Sequence, residues 1–271
     1  MPLAGIQDSV LSPLKKASQK TDSIMARIAA GHRLNSAADD AAGMAISINL
    51  DAELRSLQQA SNNTVQAVSV MRTAEGGMNS IGDSLTRLSE LSVMAGSSTY
   101  SASQRDMIQT EINAITDQIN QVAAGTEYNG RPLLDGTSGD MTFQVGTGDT
   151  PSDRIVFDTP DLSAGALGVY GGSVATPSDA GTLNDNVQAA LEQLNQARAN
   201  VGAKLNVAEN AATNLATTME NTAASLSQVR DLDIAKASTD KAGSIIQMKM
   251  GISVAAQGNG IQSSLVEKLL L

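Results

Sequence analysis

The side chains of this chain that could carry acid–base or metal chemistry are few. Its single histidine, His32, lies in a predicted linker between two helices, and the 271 residues contain no cysteine. Without cysteine, neither a Cys/His zinc cluster nor a thiol nucleophile can form. The sequence therefore predicts no enzymatic activity, with no catalytic residues, no metal ligands and no cofactor.

Two pairs of aspartates are the remaining candidates for chemistry. Asp39 and Asp40 could ligate a cation, but adjacent residues of an α-helix point about 100° apart. We favour instead a role at the start of a helix, with Ser36 and Asp39 as a capping pair and the carboxylates complementing the helix dipole. Asp231 and Asp233 follow a long predicted helix, and we interpret them as a cap for the next segment rather than as an acid–base pair.

The composition indicates extended helices rather than a compact core. The chain has no Trp, two Phe and three Tyr, whereas a core of this size normally uses more aromatic side chains. Its net charge of −10 argues against nucleic-acid binding, which needs a basic face. Because the sequence shows neither an apolar run of membrane-spanning length nor a cleavable amino-terminal signal, we expect no membrane insertion.

A strict alternation of three- and four-residue steps is the strongest helical signal in the chain. Eleven of its thirteen positions are apolar, far more than a 41% hydrophobic composition gives by chance. Such spacing lines one face of a long helix, which must then pack along a partner helix. We expect that partner to be a helix from about Ala37 to Gly96 of the same chain. The thirteen positions are Val187, Leu191, Leu194, Arg198, Val201, Leu205, Ala208, Ala212, Leu215, Met219, Thr222, Leu226 and Val229.

Further patterns complete the predicted fold. Isoleucines from Ile108 to Ile119 indicate a third, shorter helix, and Gly76–Gly77 marks a bend or change of register in the second helix. The segment 129–181 is rich in Gly, Ser, Thr, Asp and Pro, and it contains two strand candidates, Met141–Val145 and Arg154–Phe157. The predicted fold is therefore mainly α: a long antiparallel helical rod or coiled-coil bundle with a small β-hairpin region and paired termini.

Both chain ends carry helical stripes that need a partner. We expect Pro13 to bend the first helix or to restart it, with Ser12 as the cap. Because a lone helix of about 25–30 residues is marginal in water, residues 1–35 and 235–271 are predicted to be mobile in the monomer and ordered in an assembly. The predicted packing positions are Ile6, Val10, Ile24, Ile28, Ile245, Met248, Ile252, Leu265 and Leu269.

Several stretches of the sequence are similar to signature segments of bacterial flagellins. The first is Gly31–Ile46, which reads GHRLNSAADDAAGMAI. The others are Thr73–Met78, Leu85–Val93, Thr126–Gly130 and the carboxyl end, Val266–Leu271. The resemblance covers essentially the whole chain and implies a short flagellin that lacks the large outer domains. Flagellins are the subunits of the bacterial flagellar filament.

This resemblance implies a domain organisation, a function and a set of partners. Residues 1–35 and 235–271 would form an inner terminal domain, residues 36–128 and 182–234 the rod helices of an outer domain, and residues 129–181 its β-hairpin region. The implied function is that of a structural subunit that polymerises with copies of itself into the filament for motility. Secretion through the flagellar type III apparatus to the extracellular space is also implied, as are an export chaperone and a filament cap as partners.

The resemblance also implies contact with the vertebrate innate receptor Toll-like receptor 5, which recognises one broad group of flagellins. Arg87, Glu90, Leu91 and Glu111 stand where the receptor-contact residues of that family lie, while Ser89 replaces an Arg that is common in recognised members. Neighbouring subunits of a filament would bury the same patch. Subunit packing is therefore the alternative explanation for these residues, and both remain open.

Two other functional classes fit the helical chain ends. A hook–filament junction protein has the same helical ends, but the amino-acid sequences of Arg33–Ser36 and Tyr128–Gly130 favour the filament subunit. The second class is a flagellin-like surface protein that binds polysaccharide. The scarcity of aromatic side chains argues against it, because sugars usually stack on rings.

Overall fold

Helices make up most of this chain. The computed structural model describes the backbone of residues 4–270 and the side chains of residues 12–258, 260 and 261. Along that backbone the elements are α1 (Ala4–Ala30), α2 (Ala41–Ala95), α3 (Ala102–Gly125), β1 (Glu127–Tyr128), β2 (Arg131–Pro132), β3 (Met141–Gln144), β4 (Arg154–Phe157), α4 (Pro177–Arg230) and α5 (Ile234–Leu270). The mainly α fold predicted from the sequence is confirmed. Within residues 4–270, no helix combines the length and hydrophobicity needed to cross a bilayer.

Contacts divide the chain into two units. The terminal unit comprises Met1–Leu54 with Asn221–Leu271, and the central unit comprises Arg55–Glu220. These boundaries lie inside α2 and α4, whereas the domain boundaries expected from the sequence lie at the linkers near the chain ends. The difference has a local cause, because the first turns of α2 and the last turns of α4 contact each other beside those linkers. Arg230 Nη1, for example, lies 3.8 Å from Asp51 Oδ1.

Within the central unit, α2 and α4 run antiparallel. Ser92 Oγ lies 3.3 Å from Asn184 Oδ1, and Arg72 Nη2 lies 3.2 Å from Glu209 Oε1. The later of the two α2 residues therefore contacts the earlier of the two α4 residues, as in an antiparallel pair. All thirteen positions of the long repeat are buried or half-buried. The predicted pairing of this helix with α2 of the same chain is therefore confirmed.

The core of the central unit consists almost entirely of aliphatic side chains and methionine, in agreement with the aromatic-poor composition. α3 joins this core through Ile108, Ile112, Ile115 and Ile119, all of which are buried. The largest fully buried side chains are Met71, Met78, Ile81, Leu85, Leu88, Leu91, Ile112, Ile119, Leu133, Leu134, Phe157 and Leu183. Close packing of these side chains supplies the apolar burial that stabilises the long helices.

Two small hairpins follow α3. The β3–β4 pair is antiparallel, with Met141 opposite Phe157, and its strands agree with the two predicted strands to within one residue. The β1–β2 pair is not among the predicted elements. Its turn consists of Asn129 (φ 51°) and Gly130 (φ 75°), and two successive positive φ angles are typical of a type I′ hairpin turn. The Asn-Gly dipeptide is the sequence signal that could have revealed this hairpin.

Asp40 caps α2, so that this helix begins at Ala41, later than predicted. Asp40 Oδ1 accepts a hydrogen bond from the Gly43 N–H at 2.9 Å, which satisfies a free donor of the first turn. The predicted capping pair of Ser36 and Asp39 is wrong. Asp39 Oδ2 instead accepts from the Ser36 N–H at 3.2 Å and so closes a turn within the linker.

α1 continues through Pro13, so the predicted restart with Ser12 as the cap is wrong. The helix spans Ala4–Ala30 with Pro13 in its interior. An interior proline removes one backbone hydrogen bond and costs about 3 kcal/mol. α1 nevertheless packs against α5, and tertiary packing of an apolar face supplies most of the stability of helices in proteins. Packing therefore outweighs the local preference at this position.

Candidate assembly surfaces

The two chain ends pair as helices in the terminal unit. Ile24 of α1 is 8% exposed, and Ala237 and Ser244 of α5 are also buried. The other predicted packing residues for which the structure describes a half-buried side chain are Ile28, Ile245 and Met248. The side chains of Ile6, Val10, Leu265 and Leu269 lie outside the described residues.

Ile252 is the predicted packing residue that the structure contradicts. It is 52% exposed and lies off the face that packs on α1. The inner face of α5 instead continues from Met248 to Gly251, where a Cβ would lie 3.4 Å from Leu14 Cδ1. The half-buried positions of this part of α5 are 248, 251, 255 and 258. Position 252 follows 251 directly, and successive residues of an α-helix point about 100° apart.

An apolar stripe runs along the solvent side of α5. Ile246, Met250 and Val254 are spaced four residues apart and are 57%, 55% and 58% exposed. Residues at this spacing lie next to each other on one helix face. We call these three residues the outer stripe. Ile252 and Ile261 add further exposed apolar surface to the same helix.

A shallow groove of about 380 Å³ lies between α1 and α5, next to the outer stripe. Its lining is mostly apolar, and Met250 and Val254 belong to both the groove and the stripe. The lining residues are Pro13, Leu14, Ala17, Gln247, Met250, Gly251 and Val254. Stripe and groove together form one continuous apolar surface on the terminal unit.

An exposed ion cluster joins α2 to α3 in the central unit. Arg87 Nη2 donates to Glu111 Oε1 at 2.6 Å, and Arg87 Nη1 donates to Glu90 Oε2 at 3.0 Å. Each of the three side chains keeps about half of its surface in solvent. The carboxylates of Glu111 and Glu90 raise the pKa of the Arg87 guanidinium above its ordinary value. Three of the four residues singled out by the family resemblance thus meet at one surface.

The fourth residue, Leu91, faces the core. It is 1% exposed, so the prediction that its side chain contacts a receptor or a neighbouring subunit is wrong for this structure. Ser89 also turns towards the protein, because its Oγ donates to Asn184 Oδ1 of α4 at 3.1 Å. Leu88, three residues before Leu91, is also buried. This spacing of two leucines is the sequence signal that could have placed Leu91 on the inner face.

The linker between α1 and α2 and the linker between α4 and α5 are joined by backbone hydrogen bonds. The Arg33 N–H donates to the Arg230 C=O at 2.7 Å, and the Leu232 N–H donates to the Gly31 C=O at 3.1 Å. We call this paired segment the linker clamp. The sequence does not reveal the linker clamp, because pairing between two distant linkers leaves no periodic signal in either.

The aspartates of the two linkers have structural roles. Asp233 Oδ1 accepts from the Lys236 N–H at 3.0 Å and so caps α5. Asp39 Oδ1 accepts from Arg27 at 2.7 Å, and this bond, together with nearby linker amides, lowers the pKa of Asp39. Asp231 belongs to the linker clamp. Among the side chains that the structure describes, no three His, Asp or Glu residues converge as metal ligands.

Long paired helices, helical chain ends and an uncovered apolar helix face define a helical structural subunit. The chain belongs to the bacterial flagellin family. Residues 5–139 match the family model of the bacterial flagellin N-terminal helical region, and residues 184–269 match that of the C-terminal helical region. The resemblance noted in the sequence is thereby confirmed. The family is structural rather than enzymatic, and its filament is extracellular.

Individual relatives match over nearly their whole length. The flagellin of Bacillus subtilis (strain 168) is 33% identical over 283 residues, which cover 92% of this chain and 91% of that one. The flagellar filament 30.7 kDa core protein of Treponema maltophilum is 31% identical, with 86% of each chain covered. The crystal structure of Bacillus cereus flagellin is similar with a TM-score of 0.52 at 26% identity, and covers 57% of this chain and 88% of its own.

Proposed function

We propose that this chain polymerises with copies of itself into the bacterial flagellar filament that serves motility, and that the copies join mainly through the terminal unit. The outer stripe of α5 is the observation that carries this proposal. Its residues Ile246, Met250 and Val254 each leave more than half of their surface in water. Soluble monomers rarely expose contiguous apolar surface unless it is an interaction site. Family membership supports the same conclusion.

The outer stripe alone is too small to hold two copies together. Burying the exposed half of these three side chains contributes about 1 kcal/mol per residue. Association costs about 4–15 kcal/mol in lost translational and rotational freedom. In a helical lattice each copy contacts several neighbours, so the free energy from apolar burial is gained at several contacts. The translational and rotational freedom of that copy is lost only once. We therefore expect cooperative growth above a critical concentration rather than stable dimers.

A matched pair of valine substitutions tests this assignment. Val254→Ser should raise the critical concentration for seeded filament growth roughly fivefold, because it removes apolar surface from the contact. Val207→Ser is the control, since Val207 is a similarly exposed valine on a helix of the central unit. Growth is measured by sedimentation and electron microscopy. If both variants polymerise like the wild type, the outer stripe does not join copies.

We infer a domain organisation in which the chain ends become ordered on assembly. Residues 1–35 and 235–271 form the inner terminal domain, residues 36–128 and 182–234 the rod helices, and residues 129–181 the hairpin region. The exposed apolar residues of α5 support this inference, because in one isolated chain they gain little from folding. Amide exchange should be fast at both ends of the monomer and slow in filaments. Equal protection in both states would contradict it.

Export completes the proposed function. Family membership supports secretion of the chain through the flagellar type III apparatus, with an export chaperone and the filament cap as partners. The chain should accumulate in the medium of a strain with an intact export apparatus, and remain inside cells that lack it. Immunoblots of both fractions measure this. Equal amounts in the medium of both strains would exclude this route.

We also propose that the ion cluster is a contact for Toll-like receptor 5 in the monomer. Arg87, Glu90 and Glu111 are exposed and charged, and so are accessible to a partner of an isolated copy. In a reporter-cell assay, the monomer should be active and the filament inactive, and Arg87→Ala should weaken the response. Arg72→Ala is the control, because Arg72 is an exposed arginine of the same helix that pairs with Glu209. An inert wild-type monomer would leave subunit packing as the explanation.

A further inference from the structure

The methionines of this chain divide between its core and its surface. Met71 and Met78 are fully buried in the central unit, whereas Met250 is 55% exposed on α5. Met250 is the middle residue of the outer stripe, between Ile246 and Val254, and it also lines the groove between α1 and α5. One sulfur atom therefore lies at the centre of the surface through which copies are proposed to join.

Met250 is open to solvent in a free copy, whether the chain end is folded or mobile. In the folded helix more than half of its surface lies in water, and a mobile segment exposes the side chain at least as much. In a filament joined through the outer stripe, a second copy covers the same side chain. Assembly thus changes the access of small solutes to this sulfur.

We propose that Met250 is a modification site for peroxides, and that its oxidation to methionine sulfoxide stops a free copy from joining a filament. The sulfur lone pair attacks one oxygen of hydrogen peroxide, the O–O bond breaks and an S–O bond forms. The displaced hydroxide takes the remaining proton and leaves as water. The sulfur thus loses two electrons and the peroxide gains two. Methionine sulfoxide reductases reverse the oxidation, so the block is reversible.

The sulfoxide opposes assembly because it is polar. Oxidation converts a flexible apolar side chain into a polar one and disrupts contacts that depend on methionine. A buried polar oxygen needs a hydrogen-bond donor, but Ile246 and Val254, the neighbours of Met250 on the stripe, carry none. Covering an oxidised stripe therefore leaves an unsatisfied acceptor, which weakens the contact by a factor of about ten.

Growing ends and finished filaments differ in their sensitivity to peroxide. A free copy reacts at Met250, whereas an assembled copy has this side chain covered. Peroxide thus halts elongation and leaves existing filament intact. This inference rests on the proposed function, because it needs the outer stripe to join copies.

A competition assay with the full-length monomer measures the effect of each sulfoxide in one sample. The monomer is treated briefly with hydrogen peroxide, so that oxidation is partial, and seeded growth is followed by sedimentation. Peptide mass spectrometry then compares the two fractions. The share of Met250 that is sulfoxide should be about tenfold lower in the sediment than in the supernatant. Equal shares in both fractions would overturn the proposal.

Preformed filaments provide a second readout. Under the same treatment, Met250 in filaments should be oxidised more slowly than in free copies, and as slowly as the buried Met71 and Met78. If Met250 were oxidised at the same rate in filaments and in free copies, no second copy would cover it, and the proposal would be wrong.

Two leucine substitutions separate Met250 from general oxidative damage. Met250→Leu keeps an apolar side chain of similar volume that forms no sulfoxide. Its peroxide-treated monomer should grow like its untreated monomer, although Met25 and Met248 can still react. Met107→Leu is the matched control, because Met107 is a methionine of α3 in the central unit that is 65% exposed. Treated Met107→Leu should stop growing, as the wild type does, and a methionine sulfoxide reductase with dithiothreitol should restore its growth. Inhibition of treated Met250→Leu to the wild-type extent would overturn the proposal.

Val254→Ser without peroxide distinguishes a failure of this inference from a failure of the proposed function. If Val254→Ser impairs growth but the Met250 sulfoxide does not, the outer stripe joins copies and tolerates oxidation. If neither change impairs growth, the outer stripe does not join copies. Either outcome would contradict a role for Met250 oxidation in assembly.

Discussion

Adding one methyl group at Gly77 should destabilise the central unit, whereas adding one at the neighbouring Gly76 should stabilise it. Both glycines lie inside α2, at the point where the hydrophobic pattern changes register. A Cβ on Gly77 would lie 2.4 Å from Thr126 Oγ1 and 2.7 Å from Leu134 Cδ1. A Cβ on Gly76 would have no neighbour within 4 Å. Gly77→Ala is thus the test, and Gly76→Ala in the same helix turn is its control.

The expected magnitudes follow from two opposing effects. Both substitutions gain about 1 kcal/mol of helix propensity, and at Gly77 this gain is opposed by overpacking, which costs about 1–3 kcal/mol. Thr126 cannot rotate away, because its Cγ2 would also lie 2.8 Å from the new atom and its Oγ1 donates to the Val122 C=O at 2.7 Å. Leu134 is fully buried. We therefore expect the upper part of the overpacking range, and a net loss of about 1–2 kcal/mol for Gly77→Ala.

Urea unfolding of the full-length monomer, followed by far-ultraviolet circular dichroism, measures both changes. Gly76→Ala should raise the free energy of unfolding by about 0.5–1 kcal/mol, and Gly77→Ala should lower it, with similar m-values for both. If Gly77→Ala also raised the midpoint, α2 would not need its close approach to the Thr126–Leu134 segment, contrary to this prediction.

The remaining predictions concern two aspartates. Asp40→Ala should lower the free energy of unfolding by about 1 kcal/mol, because it removes the cap bonded to Gly43, whereas Ser36→Ala should change it by less than about 0.5 kcal/mol. If Asp40→Ala and Ser36→Ala lowered stability equally in thermal scans, Ser36 would be a cap as well. The pKa of Asp153 is lowered, mainly because the Thr150 hydroxyl donates to it, so its stabilisation is lost as the pH falls through the folded value. The Thr150 N–H, which also donates to this carboxylate, should lose exchange protection in acid, and Asp153→Asn should abolish that dependence; an acid-insensitive wild-type amide would contradict this.

Long or regular patterns were the part of the fold that the sequence predicted best. The repeat from Val187 to Val229 averages its periodicity over many turns, so single polar positions such as Arg198 do not obscure it. The strand Arg154–Phe157 has the predicted bounds, because branched and aromatic residues stand there between turn-forming residues. In both cases one physical preference applies to every residue of the segment.

Single-residue predictions failed where a distant contact decides the outcome. Pro13 remains helical because α1 packs on α5, and Ile252 is exposed because the line of contact on α5 passes through Gly251. Leu91 matches a family motif, but a motif does not state which side of a helix faces solvent. The sequence places His32 in a linker but does not predict its bridge to Asp231, since nothing near it in sequence indicates that residue. These positions depend on which residues meet in space.

The antiparallel course of α2 and α4 has a consequence for engineering. α2 starts from one linker and α4 ends at the other. The chain between these two linkers therefore leaves the linker clamp along α2 and returns to it along α4. The exposed turn at residues 147–150, between β3 and β4, lies within this part of the chain. Doubling the length of a flexible loop costs only about 0.6 kcal/mol. A foreign peptide inserted there would leave pairs such as Arg72 with Glu209 in register, and every copy in a polymer would carry it.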